Sequence, residues 1–375
     1  MVGFSPPPYP YDRLDELKAV AGALPGGMVD LSIGTPTDAP PQLVLDALAH
    51  SGAERGYPAS AGTPAFREAA VAWMERRLGV SVPASQAAAC VGTKELVAGL
   101  PQWLRLRTPE RDTVLHPAIS YPTYAMGATL ARCRSVGVAV DDMGHVDLAS
   151  IDEADASRAL CLWVDSPGNP AGGVEDLGSA ATWGRERGIP VLSDECYAEF
   201  TWDGPPRTIL EHGTDGVVAL HSLSKRSNLA GVRAGFYAGD ADLVAYLSEV
   251  RKHAGLMVPG PVQAAAVAAW SDDVHVDEQR ARYHDRLERL AEVLRGCGWR
   301  LEAPMPAGGF YLWVHAPEGD AWAFVRRLAS EAGVLASPGE FYGAAGADHV
   351  RFALVQPLER IEIVAQRLAP APPIS

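Results

Sequence analysis

The sequence has few cysteines, and their arrangement suggests neither a disulfide framework nor a metal site. The five cysteines are scattered along the chain, none forms a Cys-x-x-Cys pair, and no His or Cys pair has the spacing of zinc ligands. A disulfide scaffold and a structural metal are therefore not expected, and a reducing cytoplasm is the expected location.

Basic residues and long apolar runs are also scarce. The 32 Lys and Arg against 46 Asp and Glu give a formal charge of −14, which argues against general binding to nucleic acid or to anionic membranes. No stretch approaches the roughly 18 apolar residues of a membrane span, and the first residues lack a secretory signal pattern. With 375 residues, 47% of them hydrophobic, a folded protein of two or three units is expected.

Lysine is the rarest of the charged residues, with only Lys18, Lys94, Lys225 and Lys252 in the chain. Any chemistry that needs a primary amine has these four candidates. Lys225 directly follows an apolar run and has small hydroxyl neighbours, a setting that can desolvate an amine and lower its pKa, as a Schiff-base lysine requires. An ordinary exposed loop lysine is the alternative interpretation.

Apolar strand-like runs alternate with amphipathic helical runs from about residue 45 to residue 270. The predicted strands are Thr113–His116, Leu160–Val164, Pro190–Ser193, Val217–His221 and Val232–Ala238. Helices are predicted at Gln42–His50, Thr63–Leu78, Tyr121–Ala131, Asp176–Arg187 and Asp240–Arg251. Because long helical crossovers separate the strands, the pattern predicts an α/β protein with a mostly parallel sheet.

The two ends of the chain have a different character. The first thirty residues are rich in proline and glycine, and we interpret them as an extended arm. After about residue 272 the pattern predicts a smaller α/β lobe, with helices at Glu278–Arg295 and Asp320–Ala332 and strands at Gly309–Val314 and His349–Leu354.

Several common catalytic signatures are missing: Gly-x-x-x-x-Gly-Lys, Gly-x-Gly-x-x-Gly, His-Glu-x-x-His and Gly-x-Ser-x-Gly do not occur. Instead, short polar clusters follow the predicted strands, at the edge of a parallel sheet where ligands bind. These clusters contain Gly92-Thr93-Lys94-Glu95, Tyr121-Pro122-Thr123-Tyr124, Asn169-Pro170, Asp194 to Tyr197, Ser222 to Lys225, and Arg233.

Each cluster taken alone also has an ordinary structural interpretation. Gly92 to Glu95 could present helix N–H groups to a phosphate or could be a simple helix cap. Asp194 could pair with a protonated ring nitrogen or could cap a helix, and the Asn169 segment has the composition of a turn. Tyr121 offers an aromatic face for stacking.

In their order and spacing, however, the clusters resemble the class I and II aminotransferases of pyridoxal phosphate (PLP) fold type I. The resemblance runs nearly end to end, since it also includes Ile33-Gly34-Thr35-Pro36, Tyr57-Pro58 and His349-Val350-Arg351-Phe352. It implies a large domain with a mostly parallel seven-stranded sheet and a smaller α/β domain. We expect an N-terminal arm and part of the small domain at 1–44, the large domain at 45–271 and the small domain at 272–375.

The resemblance also implies a role for each residue. Lys225 would carry the cofactor and shuttle the proton, and Asp194 would pair with the pyridine nitrogen. The remaining expected contacts are Asn169 and Tyr197 to the ring oxygen, Tyr121 stacked on the ring, Gly92, Thr93, Lys94, Ser222 and Arg233 around the phosphate, Gly34 and Arg351 at the substrate α-carboxylate, and Tyr57 at the phosphate of the neighbouring subunit in a homodimer.

Within this family, the segment Lys225-Arg226-Ser227-Asn228 is similar to that of N-succinyl-diaminopimelate aminotransferases, which act in lysine biosynthesis with glutamate as amino donor. We favour a structural role for Arg226 to Asn228 over contact with a distal carboxylate. The alternatives are an aminotransferase for aspartate, alanine or an aromatic amino acid, and a carbon–sulfur β-lyase of the same fold. A non-catalytic regulator would need a DNA-binding module, and a binding protein without a cofactor would leave Lys225 and Asp194 unexplained.

Overall fold

The structure, a computed structural model, describes residues 4–299 and 301–369 of the chain. Its strands are β1 (Val29–Asp30), β2 (Ala87–Cys90), β3 (Thr113–Pro117), β4 (Arg134–Val138), β5 (Ala159–Asp165), β6 (Val191–Asp194), β7 (Val217–Ser222), β8 (Gly235–Gly239), β9 (Tyr311–His315), β10 (Val334–Leu335), β11 (Ser337–Pro338) and β12 (His349–Ala353). Its α-helices are α1 (Asp15–Gly22), α2 (Gln42–Ala49), α3 (Pro64–Trp73), α4 (Thr93–Arg107), α5 (Thr123–Leu130), α6 (Glu153–Arg158), α7 (Leu177–Arg187), α8 (Leu223–Arg226), α9 (Ala241–His253), α10 (Gly260–Ser271), α11 (Val274–Gly296), α12 (Ala321–Arg327) and α13 (Leu358–Leu368).

The central sheet has seven strands in the order β2-β8-β7-β6-β5-β3-β4. Its strand pairs are parallel except where β8 pairs with β7 and with β2. This arrangement confirms the predicted α/β class with a mostly parallel sheet. It also places the carboxyl ends of β3, β5, β6 and β7 along one edge.

The sheet is buried on both faces, as its sequence requires. Every residue of β5 is buried, and its side chains are divided between two apolar clusters. Leu162 packs in the cluster that contains Trp73 and Trp270, whereas Trp163 packs in the cluster that contains Tyr124. Strands buried on both faces are continuously hydrophobic, which is why β5 shows no alternation of polar and apolar residues.

Contacts divide the chain into two compact units. The larger unit contains residues Thr35–His284 and Pro306–Phe310, and therefore the whole seven-stranded sheet. The smaller unit contains the residues up to Gly34, Asp285–Met305 and the residues from Tyr311 onward. Within the smaller unit, β11, β12 and β9 form an antiparallel sheet and β1 pairs with β10 in parallel.

The N-terminal segment differs from the extended arm that its proline content predicts. Residues Asp15–Gly22 form helix α1, which follows a turn of 3-10 helix at Pro10–Leu14. The turn carries proline at its first position, where proline has no N–H to lose, and Leu14 and Ala21 are buried. In the described residues, no helix combines the length and hydrophobicity that a membrane crossing requires.

Candidate active site

Most of the predicted site residues lie at the carboxyl edge of the seven-stranded sheet. Asp194 is the last residue of β6 and Ser222 is the last residue of β7. Tyr121 lies beyond the end of β3, and Asn169 lies four residues beyond the end of β5. Because these strands are parallel neighbours, the structure brings the four residues to a single edge.

The antiparallel strand β8 adds Arg233 to the same edge. Gly235, where β8 begins, pairs both with Cys90 at the end of β2 and with Ser222 at the end of β7. The residues just after β2 and β7 and those just before β8 are therefore neighbours. Gly92 and Arg233 confirm this proximity, since a Cβ atom added to Gly92 would lie 2.2 Å from a guanidinium nitrogen of Arg233.

Gly92 also begins helix α4, whose fifteen residues run from Thr93 to Arg107. It adopts φ +72°, a left-handed conformation that favours glycine, and no side chain caps the helix. The first N–H groups of a helix attract anions, and the Arg233 guanidinium adds a full positive charge beside them. The absent Cβ and this donor set fit the phosphate of a cofactor.

Asp194 has the surroundings expected of a carboxylate that pairs with a positively charged group. The Tyr124 hydroxyl donates to its Oδ2 at 3.2 Å, and the Cys196 N–H donates to its Oδ1 at 3.3 Å. Burial raises the pKa of Asp194, while these hydrogen bonds and the charge of Lys225 lower it. A protonated ring nitrogen would compensate the burial of this carboxylate.

Lys225 belongs to α8, a single helical turn that begins after β7. The Ser222 hydroxyl caps this turn by accepting the N–H of Ser224 at 3.1 Å. The Lys225 amine is half-buried and lies 5.8 Å from the centre of the Phe310 ring, which also packs edge-on against Tyr197 at 5.2 Å. Lys225 and Tyr197 thus share an aromatic neighbour.

Asn169 and Tyr121 complete the predicted ring contacts. Asn169 is buried, and its backbone N–H donates to Oδ2 of Asp165 at 3.0 Å. The Tyr121 ring lies 6.0 Å from the Tyr124 ring, and the Lys94 amine lies 6.0 Å from the Tyr121 ring centre. Tyr121 is therefore connected to Asp194 through Tyr124.

Gly34 and Arg351 lie in the smaller unit. Arg351 is almost fully buried, stacks on the rings of Tyr311 and Tyr342 at 4.1 and 4.7 Å, and donates to the carbonyl oxygen of Ser32 at 2.6 Å. A Cβ atom added to Gly34 would lie only 2.2 Å from the Tyr311 hydroxyl oxygen. Gly34 and Arg351 therefore share Tyr311 as a neighbour.

Tyr57 lies in the larger unit, at the surface of the chain. Its side chain is 98% exposed.

Three further residues of the larger unit were missed by the sequence analysis as parts of the site. Tyr124 donates to Asp194, and the Arg251 guanidinium forms two hydrogen bonds with the Glu95 carboxylate. Tyr124 and Glu95 stand inside clusters that the sequence marks, three residues after Tyr121 and Gly92. Arg251 lies 156 residues from Glu95, and nothing in the sequence links the two.

The model of the "Aminotransferase class I and II" family matches residues 26–368, and the chain belongs to this family. It is a PLP-dependent aminotransferase of fold type I, and the substrates typical of such enzymes are small amino acids and keto acids. The residues at the sheet edge fit this cofactor, with an anion site at Gly92 and Arg233, a lysine, and the half-buried carboxylate of Asp194.

Relatives within the family carry different activities. The chain is 45% identical to 4-dedimethylamino-4-oxo-anhydrotetracycline transaminase OxyQ of Streptomyces rimosus, over 96% of this chain and 99% of that protein. It is 34% identical to LL-diaminopimelate aminotransferase of Desulforudis audaxviator, over 96% and 95% of the two chains. The solved structure of a probable N-succinyldiaminopimelate aminotransferase from Thermus thermophilus superposes with a TM-score of 0.85 at 32% identity, covering 96% and 98% of the chains.

Proposed function

We propose that this aminotransferase transfers an amino group between N-succinyl-LL-2,6-diaminopimelate and 2-oxoglutarate, in lysine and diaminopimelate biosynthesis. The observation that carries the proposal is the similarity over nearly the whole chain to the structure of a probable N-succinyldiaminopimelate aminotransferase from Thermus thermophilus, at 32% identity. The relative named LL-diaminopimelate aminotransferase supports the same class of substrate.

The cofactor residues have distinct roles in this proposal. PLP, when bound, supplies an electron sink that lets a Cα–H bond of the substrate break. The Lys225 amine moves the proton at the substrate Cα, and the Asp194 carboxylate holds the proton at the ring nitrogen. Asn169 and Tyr197 would donate hydrogen bonds to the ring oxygen of PLP, and Tyr121 would stack on its ring. Its phosphate would be held by Ser222, Arg233 and the N–H groups of Gly92, Thr93 and Lys94.

The substrate residues belong to the smaller unit. We propose that the Arg351 guanidinium binds the α-carboxylate through two parallel hydrogen bonds and that the Gly34 backbone assists. The aromatic rings of Tyr311 and Tyr342 hold the guanidinium plane, and the Ser32 carbonyl occupies one of its N–H groups. A guanidinium held in this way is oriented before the substrate arrives.

Arg226 supports the structural role that we favour for the segment after Lys225. It is 3% exposed, pairs with the buried Glu199 carboxylate, and donates to the carbonyl oxygen of Ala269 at 2.7 Å. Its guanidinium is also near the Trp270 ring, at 4.8 Å. Since this buried cation is already paired, the succinyl carboxylate would have to bind elsewhere.

We also propose that the enzyme is a homodimer in the cytoplasm. The proposal of a dimer rests on Tyr57, whose phenol is 98% exposed and would contact the cofactor phosphate of the neighbouring subunit. The five cysteines are all free thiols, which is consistent with a reducing compartment.

A second candidate substrate is a ketone on a large polycyclic molecule. Identity to the anhydrotetracycline transaminase is 45%, compared with 34% to the diaminopimelate enzyme, over equally long alignments. This difference in identity is the observation that supports the second candidate.

The deciding measurement is kcat/KM across a panel of amino donors with 2-oxoglutarate, together with a polycyclic ketone aminated from glutamate. N-succinyl-LL-2,6-diaminopimelate should exceed aspartate, alanine and an aromatic amino acid by about tenfold or more. If an ordinary amino acid or the polycyclic ketone exceeds it by that factor, the proposed substrate is wrong. Release of pyruvate from cystathionine would identify a carbon–sulfur lyase.

A further inference from the structure

A carboxylate occupies the same helix end as the proposed phosphate site. Glu95 is the third residue of α4, and its Oε1 accepts the N–H of Val91 at 2.9 Å. This contact closes the loop that leads from β2 into the helix. The loop contains Gly92, so Glu95 fixes the backbone that would bind the phosphate.

This arrangement creates an electrostatic conflict. A carboxylate in the first helical turn is attracted by the same N–H groups that attract phosphate, and it repels a second anion beside it. Without compensation, the residue that shapes the phosphate loop would weaken phosphate binding.

Arg251 supplies the compensation. It lies near the end of helix α9 and is fully buried, and its two Nη atoms donate to the two Glu95 oxygens at 2.5 and 3.0 Å. The rings of Trp103 and Tyr237, centred 5.2 and 5.8 Å away, hold the guanidinium plane. Such a two-bond pair is strongly oriented and cancels the carboxylate charge.

The buried Cys90 thiol, at the end of β2, is influenced by these charges. Burial raises the pKa of Cys90, Arg251 and Arg233 both lower it, and Glu95 raises it. One thiol at the end of β2 therefore senses the Glu95–Arg251 pair as well as the Arg233 guanidinium.

We propose that Glu95 and Arg251 are positioning residues for the cofactor phosphate: Glu95 fixes the Gly92 loop, and Arg251 neutralises Glu95 so that the loop stays attractive to an anion. The inference rests on the proposed phosphate site at Gly92 and Arg233. It assigns the pair a charge-specific role, which ordinary helix capping would not require.

The test compares the dissociation constants of PLP and of pyridoxal, which lacks the phosphate, on the full chain by visible absorbance. Arg251→Gln should lower the preference for PLP over pyridoxal by about tenfold or more, because the Glu95 charge is then uncompensated. Glu95→Gln should raise that preference, since it leaves Arg251 as an extra cation while keeping an oxygen for the Val91 N–H. The double variant should return close to the parent value.

Two controls separate the possible outcomes. Arg158→Gln breaks another two-bond pair, with Asp112 just before β3, and should leave the preference unchanged. Arg233→Gln should lower the preference for PLP over pyridoxal. If it does not, the proposed phosphate site is wrong.

The inference itself is wrong if Arg233→Gln lowers the preference but Glu95→Gln and Arg251→Gln both leave it unchanged or both shift it in the same direction. The opposite response of Glu95→Gln tests the inference even if Arg251→Gln does not fold.

Discussion

Lys225 differs from the other three lysines in its surroundings. It follows β7 in a capped helical turn, whereas the Lys252 side chain is largely exposed beside Glu249. Lys225→Ala should abolish the visible absorbance of the bound cofactor and lower kcat by about 10²–10⁴-fold or more, because Lys225 is the amine proposed to carry the cofactor and to move the Cα proton. Lys252→Ala is the matched control and should retain both properties. An active, coloured Lys225→Ala enzyme would disprove the assignment.

Arg351 provides a test of substrate binding that is independent of cofactor binding. Arg351→Met should cost about 3–5 kcal/mol in kcat/KM, since the substrate carboxylate would lose its buried partner. Arg351→Lys should recover only part of this loss, because an ammonium group cannot form two parallel hydrogen bonds. Visible absorbance of both variants should match the parent enzyme. A kcat/KM of Arg351→Met within about twofold of the parent would exclude the proposed role.

His221 makes the stability of the fold depend on pH. It is buried between Trp73 and Phe236, and burial lowers its pKa from 6.5 to about 3. Its contact with Glu195 at 3.3 Å is therefore not an ion pair at neutral pH, and burial raises the pKa of Glu195 to about 7.

The unfolded chain binds a proton at His221 below about pH 6.5, whereas the folded chain does not, so this residue lowers stability as pH falls. Between pH 7.5 and pH 5, its contribution should change by about 2 kcal/mol. His221→Phe should therefore lose less unfolding free energy than the parent over that interval, as measured by urea unfolding. Equal losses in the two proteins would show that His221 titrates normally.

At the scale of elements, Gly92 at the start of α4 meets two requirements, a left-handed backbone conformation and the absence of a Cβ atom. Gly92 has φ +72° and leaves no room for a Cβ atom beside Arg233. Gly92→Ala should therefore weaken PLP binding by about tenfold or more, since either the loop or the guanidinium must move. Gly188→Ala is the control: Gly188 has φ +58° but open space around it, so only backbone strain should follow. Equal PLP affinities in the two variants would contradict the proposed cradle.

The elements also show which parts of the fold the sequence predicts. The buried strands β3, β5, β6 and β7 coincide closely with continuous apolar runs, because strands buried on both faces need such runs. Strand β2 was missed, since its sequence Ala-Ala-Ala-Cys has little preference for strands and is fixed by pairing with β8. Strand β4 was missed because it is a largely exposed edge strand whose sequence, Arg-Ser-Val-Gly-Val, is not a continuous apolar run.

The candidate site likewise contains residues that the sequence identifies and residues that it does not. Residues next to strand ends, such as Lys225 and Asp194, were identifiable because parallel topology brings strand ends together. The Glu95–Arg251 pair was not identifiable, since it joins helices far apart in the chain and depends on their packing. The roles of these residues remain predictions until the variants are measured.

At the scale of the whole molecule, Tyr57 tests whether two chains complete each site. A Tyr57→Ala chain and a Lys225→Ala chain should each be nearly inactive alone. After the two are unfolded together and refolded, hybrid dimers would contain one intact site of two. Since half of the dimers would be hybrids, about a quarter of the parent activity should return. No recovery in mixtures that demonstrably contain hybrids, or a fully active monomer, would contradict the proposed dimer.

The single reversed strand, β8, has a consequence for how the chain can vary in length. Crossovers between parallel strands can gain or lose residues over the faces of the sheet without moving the strand ends. The link from β7 to β8 has no such freedom, because it leaves and re-enters the sheet at one edge with a proposed cofactor contact on either side. The eight-residue interval from Lys225 to Arg233 should therefore have a constant length. Insertions that the crossovers tolerate would not be tolerated in this segment.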